Sequence, residues 1–363
     1  MGATEMEYEV CCYLGPHHDF HHASRIYTGL CDLARNKILR LRFIVPNLSH
    51  KGYTSDPYTI CLQVTSVAKK RRFLIAIDLS DHCDRFNSDV LTQCDVYLKR
   101  SYNALALSAI TTQLKNKMYP FGLNYAARSI ESTMRVLMKV APRLSLRLLS
   151  SPKRSEYLGV LWRYWRTPKP KHFELAPNEP VERVVTFQTR VWATDKVTDE
   201  VERINTERVQ LIRRLKRTFG SRFRGGLYPD AYARQHFRDV VSDMPSRPAD
   251  YINWGKHALI GVNTRGLHHS IAFKLPEYLA ASKCVVSSPL HNQLPTPLVA
   301  QRHYSEFRTA EECIDACARI LDNANIANDM RYEAWRYYQT ELKPPVHVRN
   351  CLERAAALCT QSS

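Results

Sequence analysis

Lys274 and Glu277 stand three residues apart in the run 266–286, GLHHSIAFKLPEYLAASKCVV, and put a cation and a carboxylate where a loop enters a helix. Backbone N–H groups at such a start draw a phosphate. Lys274 adds a fixed positive charge, and Glu277 adds two acceptor oxygens suited to the hydroxyls of a ribose. His268, His269 and Ser270 occupy the loop ahead of the pair. Behind it, the small residues Ala280, Ala281 and Ser282 lead to the apolar run 284–286, which reads as a buried parallel strand. A strand, loop and helix start in this order build ligand crevices in open α/β sheets. The plain alternative for Glu277 is a first-turn carboxylate held by the helix dipole.

Other groups could also carry chemistry. Arg190 closes the strand pattern VVTFQT (184–189), and Lys196 follows in the next loop. Four histidines, His17, His18, His21 and His22, cluster after a break at Gly15-Pro16. Histidine is the natural base near neutral pH, and Asp19 is at hand as its partner. His18 and His22 are four apart, which also permits a metal reading. Asp78 and Asp81 end the apolar run FLIAIDLSD, and Lys99 and Arg100 end DVYLKR. Charged groups at the ends of parallel strands either face a ligand or cap and pair with one another.

Between about 184 and 350 the strings FQTRVW, INTERVQLIRRL, FRGG, KLPEYLAASKCVV and YY…LKP follow one another. In this order they resemble the donor half of GT-B glycosyltransferases, in particular family 4, also called group 1. The resemblance implies an α/β chain of GT-B architecture, with two Rossmann-like domains whose parallel sheets face across a cleft. Residues 1–175 would bind the acceptor and 176–345 the nucleotide sugar, with 346–363 a helix crossing back to the first domain. The implied reaction moves a sugar from a nucleoside-diphosphate sugar, UDP or GDP as the carrier, to a hydroxyl of a glycan, glycolipid or glycoprotein glycan. No metal or other cofactor is expected.

By the same resemblance Glu277 takes the ribose, and Lys274, His268, His269, Ser270 and Gly15 hold the rest of the donor. Arg190 and Lys196 would stabilise the departing diphosphate. His17 would line the cleft, and His18 would be the base if the reaction inverts. Asp78, Asp81, Lys99 and Arg100 are acceptor candidates, since D-L-S-D and D-V-Y-x-K-R-S-Y are similar to strings in a smaller glycosyltransferase group. The chain departs from the family in two places. Its Arg–Lys gap is six rather than five, and His269 stands eight positions before Glu277, where retaining members carry a carboxylate. That second departure keeps a catalytically silent nucleotide- or glycan-binding protein open as an alternative.

The elements that must position these residues follow a β–α–β rhythm. Strand patterns fall at 8–14, 39–46, 59–67, 72–78 and 95–99, with a helix at 23–35. Pro168, Pro170, Pro177 and Pro180 mark a linker. A second unit opens at 183 and continues with a helix at 199–219 and strands at 257–262 and 284–286. Helices at 310–322, 329–339 and 346–359 complete it.

Length and composition fit two ordinary domains: 363 residues, 44% hydrophobic and 24% charged. The net charge of +17 points to anionic partners. The eleven cysteines show no C-x-x-C pair and several sit in apolar runs, so reduced thiols are expected. The start MGATEMEYEV carries no apolar signal core. Residues 135–171 hold ten Lys or Arg against one acid, Glu156, interleaved with Trp162 and Trp165. Such a stretch suits an anionic membrane surface, RNA, or simply solvent. With no RNA-binding signature, the expectation is a cytoplasmic protein, peripheral to a membrane if 135–171 binds one, with no nucleic-acid partner.

Overall fold

The computed structural model describes residues 6–15, 18–46, 52–53, 56–108, 110–150, 154–193, 198–245 and 247–361, the side chains of 143–150, 154–157 and 361 excepted. His17 and Lys196 therefore lie outside the described residues. The chain divides into two compact units, Met1–Pro170 with Gln293–Thr296 and Thr340–Ser363, and Lys171–Asn292 with Pro297–Gln339.

The first unit runs β1 (Tyr8–Tyr13), α1 (Phe20–Arg35), β2 (Leu39–Ile44), β3 (Thr59–Ser66), β4 (Arg71–Asp78), α2 (Ser88–Gln93), β5 (Val96–Lys99), α3 (Thr112–Lys115), β6 (Met118–Pro120), α4 (Ile130–Ser150) and α5 (Arg154–Arg166). Its six strands lie in the order β2-β1-β3-β4-β5-β6. The sheet is parallel except at β3, which runs antiparallel to both β1 and β4. The chain is α/β with mostly parallel sheets, as the sequence leads one to expect, and β3 is reversed for a simple reason. Only residues 67–70 join β3 to β4, a hairpin turn and far short of the dozen residues a parallel crossover needs. Helix α1 begins at Phe20, earlier than its apolar period suggests, because the Asp19 carboxylate caps it by accepting the His22 N–H at 3.1 Å.

The second unit runs α6 (Pro170–Phe173), β7 (Glu182–Thr189), α7 (Asp199–Phe219), β8 (Phe223–Leu227), α8 (Ala231–His236), α9 (Pro248–Lys256), β9 (Ala258–Asn263), α10 (Lys274–Ala280), β10 (Cys284–Ser287), β11 (Tyr304–Glu306), α11 (Ala310–Asp322) and α12 (Ala324–Tyr337). Its five strands lie in the order β11-β10-β9-β7-β8, all parallel. Helix α12 begins earlier than the expected 329 because Asn323 accepts from the N–H groups of Asn325 and Ile326.

The last helix, α13 (Pro344–Gln361), belongs to the first unit and packs along α1. Their approach is close enough that a Cβ on Gly29 would lie 2.3 Å from the Pro344 carbonyl oxygen, so that position takes only glycine.

Candidate functional site

In the second unit the chain leaves β7 and β9 at the same edge of a parallel sheet, the edge where open α/β folds bind ligands. The loop after β9 leads straight into α10. Lys274 Nζ lies 3.0 Å from Glu277 Oε2 there, one turn along the helix, and both side chains keep about a fifth of their surface in solvent. The ammonium also sits 3.9 Å above the ring of Tyr251 from α9. Gln188, Tyr251, Tyr278 and Lys283 join the pair around a small hollow that opens to solvent. Gly261 makes this packing possible: a Cβ there would fall 2.6 Å from the Tyr278 ring, so α10 rests directly on β9. Burial raises the Tyr251 hydroxyl pKa, Glu277 raises it further and Arg190 opposes, so Arg190 and Glu277 act on one ring.

Arg190 is exposed at the end of β7, its guanidinium 5.7 Å from the Tyr228 ring centroid. Among the described residues it has no carboxylate partner. Its backbone is pinned from below by Arg208 of α7, which is buried. Arg208 Nη1 donates to the Arg190 carbonyl at 2.7 Å and Nη2 to the Arg265 carbonyl at 2.8 Å. One side chain thus ties together the chain leaving β7 and the chain leaving β9. Trp192 lies 4.5 Å beneath the guanidinium, and Asn205 holds both the N–H and the carbonyl of Trp192. Burial lowers the Arg208 pKa; Glu207 opposes, and Arg190 and Arg265 add to the lowering. Sequence reasoning missed Arg208. Its signal was a charged residue on the buried stripe of an amphipathic helix, beside Ile204, Leu211 and Leu215.

The histidine loop is arranged otherwise than expected. His268 and His269 both take left-handed backbone conformations, φ 56° and 55°. The His268 N–H, expected to face a diphosphate, donates to Glu200 Oε1 at 2.9 Å, and the ring Nδ1 lies 3.7 Å from Glu200 Oε2. Ser270 is buried; its N–H bonds to the Leu267 carbonyl and its own carbonyl accepts from Gly266. His269 packs its ring 4.7 Å from that of His291. The amides of Gly266, His268 and Ser270 are therefore engaged within the loop and by Glu200, and among the described residues Arg190 is an exposed cation at this edge with no carboxylate partner. Glu200, another residue the sequence reading missed, lies in the acidic first turn of α7.

Lys283 lies deeper, 3% exposed, and donates from Nζ to the carbonyls of Gly255 at 2.5 Å and Ala258 at 2.8 Å. Burial pulls its pKa down to about 7. A neutral amine has two N–H groups, which match the two carbonyls. Because the folded pKa lies below the unfolded value, the unfolded chain binds the extra proton between about pH 7 and pH 10, and stability rises with pH across that window. Substituting Lys283→Met should flatten this rise, by about 5 kcal/mol at most. Chemical denaturation of both proteins at several pH values measures it; parallel curves would refute a neutral Lys283.

In the first unit the expected candidates are mostly spent on structure. His18 is buried, and its Nδ1 accepts the Gly15 N–H at 3.2 Å, which engages that ring nitrogen and the Gly15 amide with each other. Asp19 pairs with His22 at 3.0 Å and Arg163 at 2.7 Å instead of with His18. Burial would raise the Asp19 carboxyl pKa, but the His22 hydrogen bonds and Arg163 outweigh it and hold the group ionised. Among the described residues no cluster of three or more His, Cys, Asp or Glu could hold a metal.

Asp78 and Lys99 are sealed in the sheet, 2.8 Å apart, with the Tyr97 hydroxyl on Asp78 and the Arg85 carbonyl on Lys99. The Ser80 N–H caps the other Asp78 oxygen. Arg100, also buried, donates to Asp81, whose carboxylate is half exposed. Capping and pairing between adjacent strand ends describes Asp78, Lys99 and Arg100; only Asp81 presents an oxygen to solvent.

No protein-family model matches the chain, and no curated protein matches it in sequence. Solved structures do. The C-terminal domain of a glycosyl transferase group 1 family protein from Francisella tularensis matches with a TM-score of 0.34 at 13% identity, over 48% of this chain and 97% of that one. Sucrose-phosphate synthase from Thermosynechococcus elongatus matches at 0.39 and 12%, over 76% and 71%. A UDP-GlcNAc 2-epimerase from Neisseria meningitidis, solved with UDP-GlcNAc bound, matches at 0.37 and 10%, over 95% and 98%.

Proposed function

We propose that the protein is a glycosyltransferase whose second unit binds a nucleoside-diphosphate sugar and whose reaction passes the sugar to a hydroxyl acceptor. The observation that carries this reading is the setting of Arg190. It is an exposed cation without a carboxylate partner among the described residues, and it ends β7, the strand that pairs in parallel with the β9 on which α10 and its Lys274–Glu277 pair rest. A diphosphate needs unmatched positive charge, and a ribose needs a carboxylate. Both stand at the carboxyl edge of a parallel sheet.

In the reaction the bond from the anomeric carbon to the diphosphate oxygen breaks, and the acceptor oxygen bonds to that carbon. Arg190, with Lys196 as a second cation, stabilises the charge that grows on the leaving diphosphate. In the retaining outcome the acceptor proton passes to the departing diphosphate; in the inverting outcome a base such as His18 takes it. UDP and GDP are the first carriers to try.

Titrating UDP, GDP and ADP against the melting temperature tests the binding step, since a ligand of the folded state raises it. Arg190→Ala should lower turnover or sugar-nucleotide hydrolysis by about a hundredfold or more, the usual effect of removing one group that stabilises developing charge. If no nucleoside diphosphate shifts the melting temperature, the proposal fails. A second reading, a silent nucleotide binder, is favoured by one observation: His269, standing where retaining relatives carry a carboxylate, packs against His291. It predicts nucleotide binding with neither hydrolysis nor transfer.

A further inference from the structure

We infer that α4 and α5 form a docking surface for an anionic lipid membrane. Six of the twelve large apolar side chains exposed among the described residues lie on these two helices, each 45% to 62% exposed. On α4 they are Ile130, Met134 and Met138, spaced by four, and on α5 Leu158, Trp162 and Trp165, spaced by four and three. Each set makes one outward stripe of its helix. The inward faces are separately accounted for: Val136, Val140 and Tyr164 are buried in the core of the first unit. Arg163 pairs with Asp19, the cap of α1, and Tyr164 is buried in the core, so α5 turns that side inward and leaves Trp162 and Trp165 exposed.

Charge decides what covers the stripes. The stretch 130–166, which spans both helices, holds eight Lys or Arg and two acids, Glu131 and Glu156. Lys139 lies exposed beside the α4 stripe, and Arg166 lies 5.6 Å from the Trp162 ring. A second copy of the same face would bring cations against cations. RNA would use aromatic faces for stacking but would leave Ile130, Met134, Met138 and Leu158 with nothing to bury against. An anionic bilayer takes both parts: apolar side chains enter the boundary between headgroups and acyl chains, tryptophans settle at that level, and lysine and arginine meet the headgroups. None of the described helices is long and apolar enough to cross a membrane, so this is attachment along a surface. The inference does not depend on the nucleotide site.

Co-sedimentation with vesicles tests it. The protein should bind vesicles of phosphatidylcholine mixed with phosphatidylserine, bind pure phosphatidylcholine at least about tenfold more weakly, and release at high salt. The double variant Trp162→Ser/Met138→Ser and the double variant Lys139→Glu/Arg166→Glu should each lose at least about tenfold in affinity while melting as the parent does. Glu277→Ala should bind vesicles unchanged. Equal binding to both vesicle types, or full binding by both double variants, overturns the inference. So does binding to single-stranded RNA that the same variants abolish while vesicles are ignored.

Discussion

Glu277→Ala is expected to cut the affinity for nucleoside diphosphates by about a hundredfold or more. The carboxylate would accept from two ribose hydroxyls, and each hydrogen bond to a charged group contributes about 1.5 to 3 kcal/mol. The sign of the change makes the test sharp. Glu277 now lies 3.0 Å from Lys274 Nζ and neutralises it. Removing the carboxylate frees that ammonium for the diphosphate. If Glu277 served only as the partner of Lys274, the substitution would strengthen binding. A loss therefore supports the ribose contact, and a gain or no change refutes it. Calorimetric titration with UDP and GDP measures the effect. Lys274→Ala supplies the converse, weakening diphosphates more than the free nucleoside. Neither change should disturb folding, because a partly exposed pair of this kind contributes about 0 to 1 kcal/mol.

Asp78→Ala should be the most damaging substitution for stability, about 3 to 5 kcal/mol. It leaves the Lys99 ammonium buried among β4 and β5 with only the Arg85 carbonyl, and it strips the Tyr97 hydroxyl and the Ser80 N–H of their acceptor. The cost arises from the abandoned charge more than from the lost attraction. Asp78→Leu combined with Lys99→Met removes both charges and should recover most of the loss. Urea denaturation of Asp78→Leu, Lys99→Met and their double variant forms the cycle. A loss under about 1 kcal/mol for Asp78→Ala would show that the pair is hydrated and open, and would restore it as an acceptor candidate.

Local order was legible where the pattern was long and its ends were punctuated. Helix α7 runs over Asp199–Phe219 and α11 over Ala310–Asp322, both at the limits their apolar period predicts. The short strands β6, β8 and β11 carried too few residues to show a period. At β8 the two glycines hid the strand, although Gly225 is required there, since a Cβ would lie 2.2 Å from the Phe187 carbonyl oxygen. The antiparallel β3 was missed because strand direction is written in the connection and not in the strand, and the four residues 67–70 look like any polar turn.

For the candidate site, residue types near one another in sequence were readable and their partners across the fold were not. Lys274 and Glu277 meet because three residues make nearly one helical turn, a distance the sequence alone determines. The same holds for the cation at the end of β7 and for the basic, tryptophan-bearing stretch. Whether a charge is free or spent was decided by tertiary contacts alone. Asp78 and Lys99 looked as available as Arg190 until the sheet placed them face to face, while Arg190 met no carboxylate among the described residues. Arg208, unremarkable in its helix, became the tie between two strand ends only once parallel pairing brought β7 beside β9. Sequence determines local periodicity because neighbouring side chains share one backbone. Pairing depends on groups far apart in the chain, and only the packed fold brings those within hydrogen-bond reach.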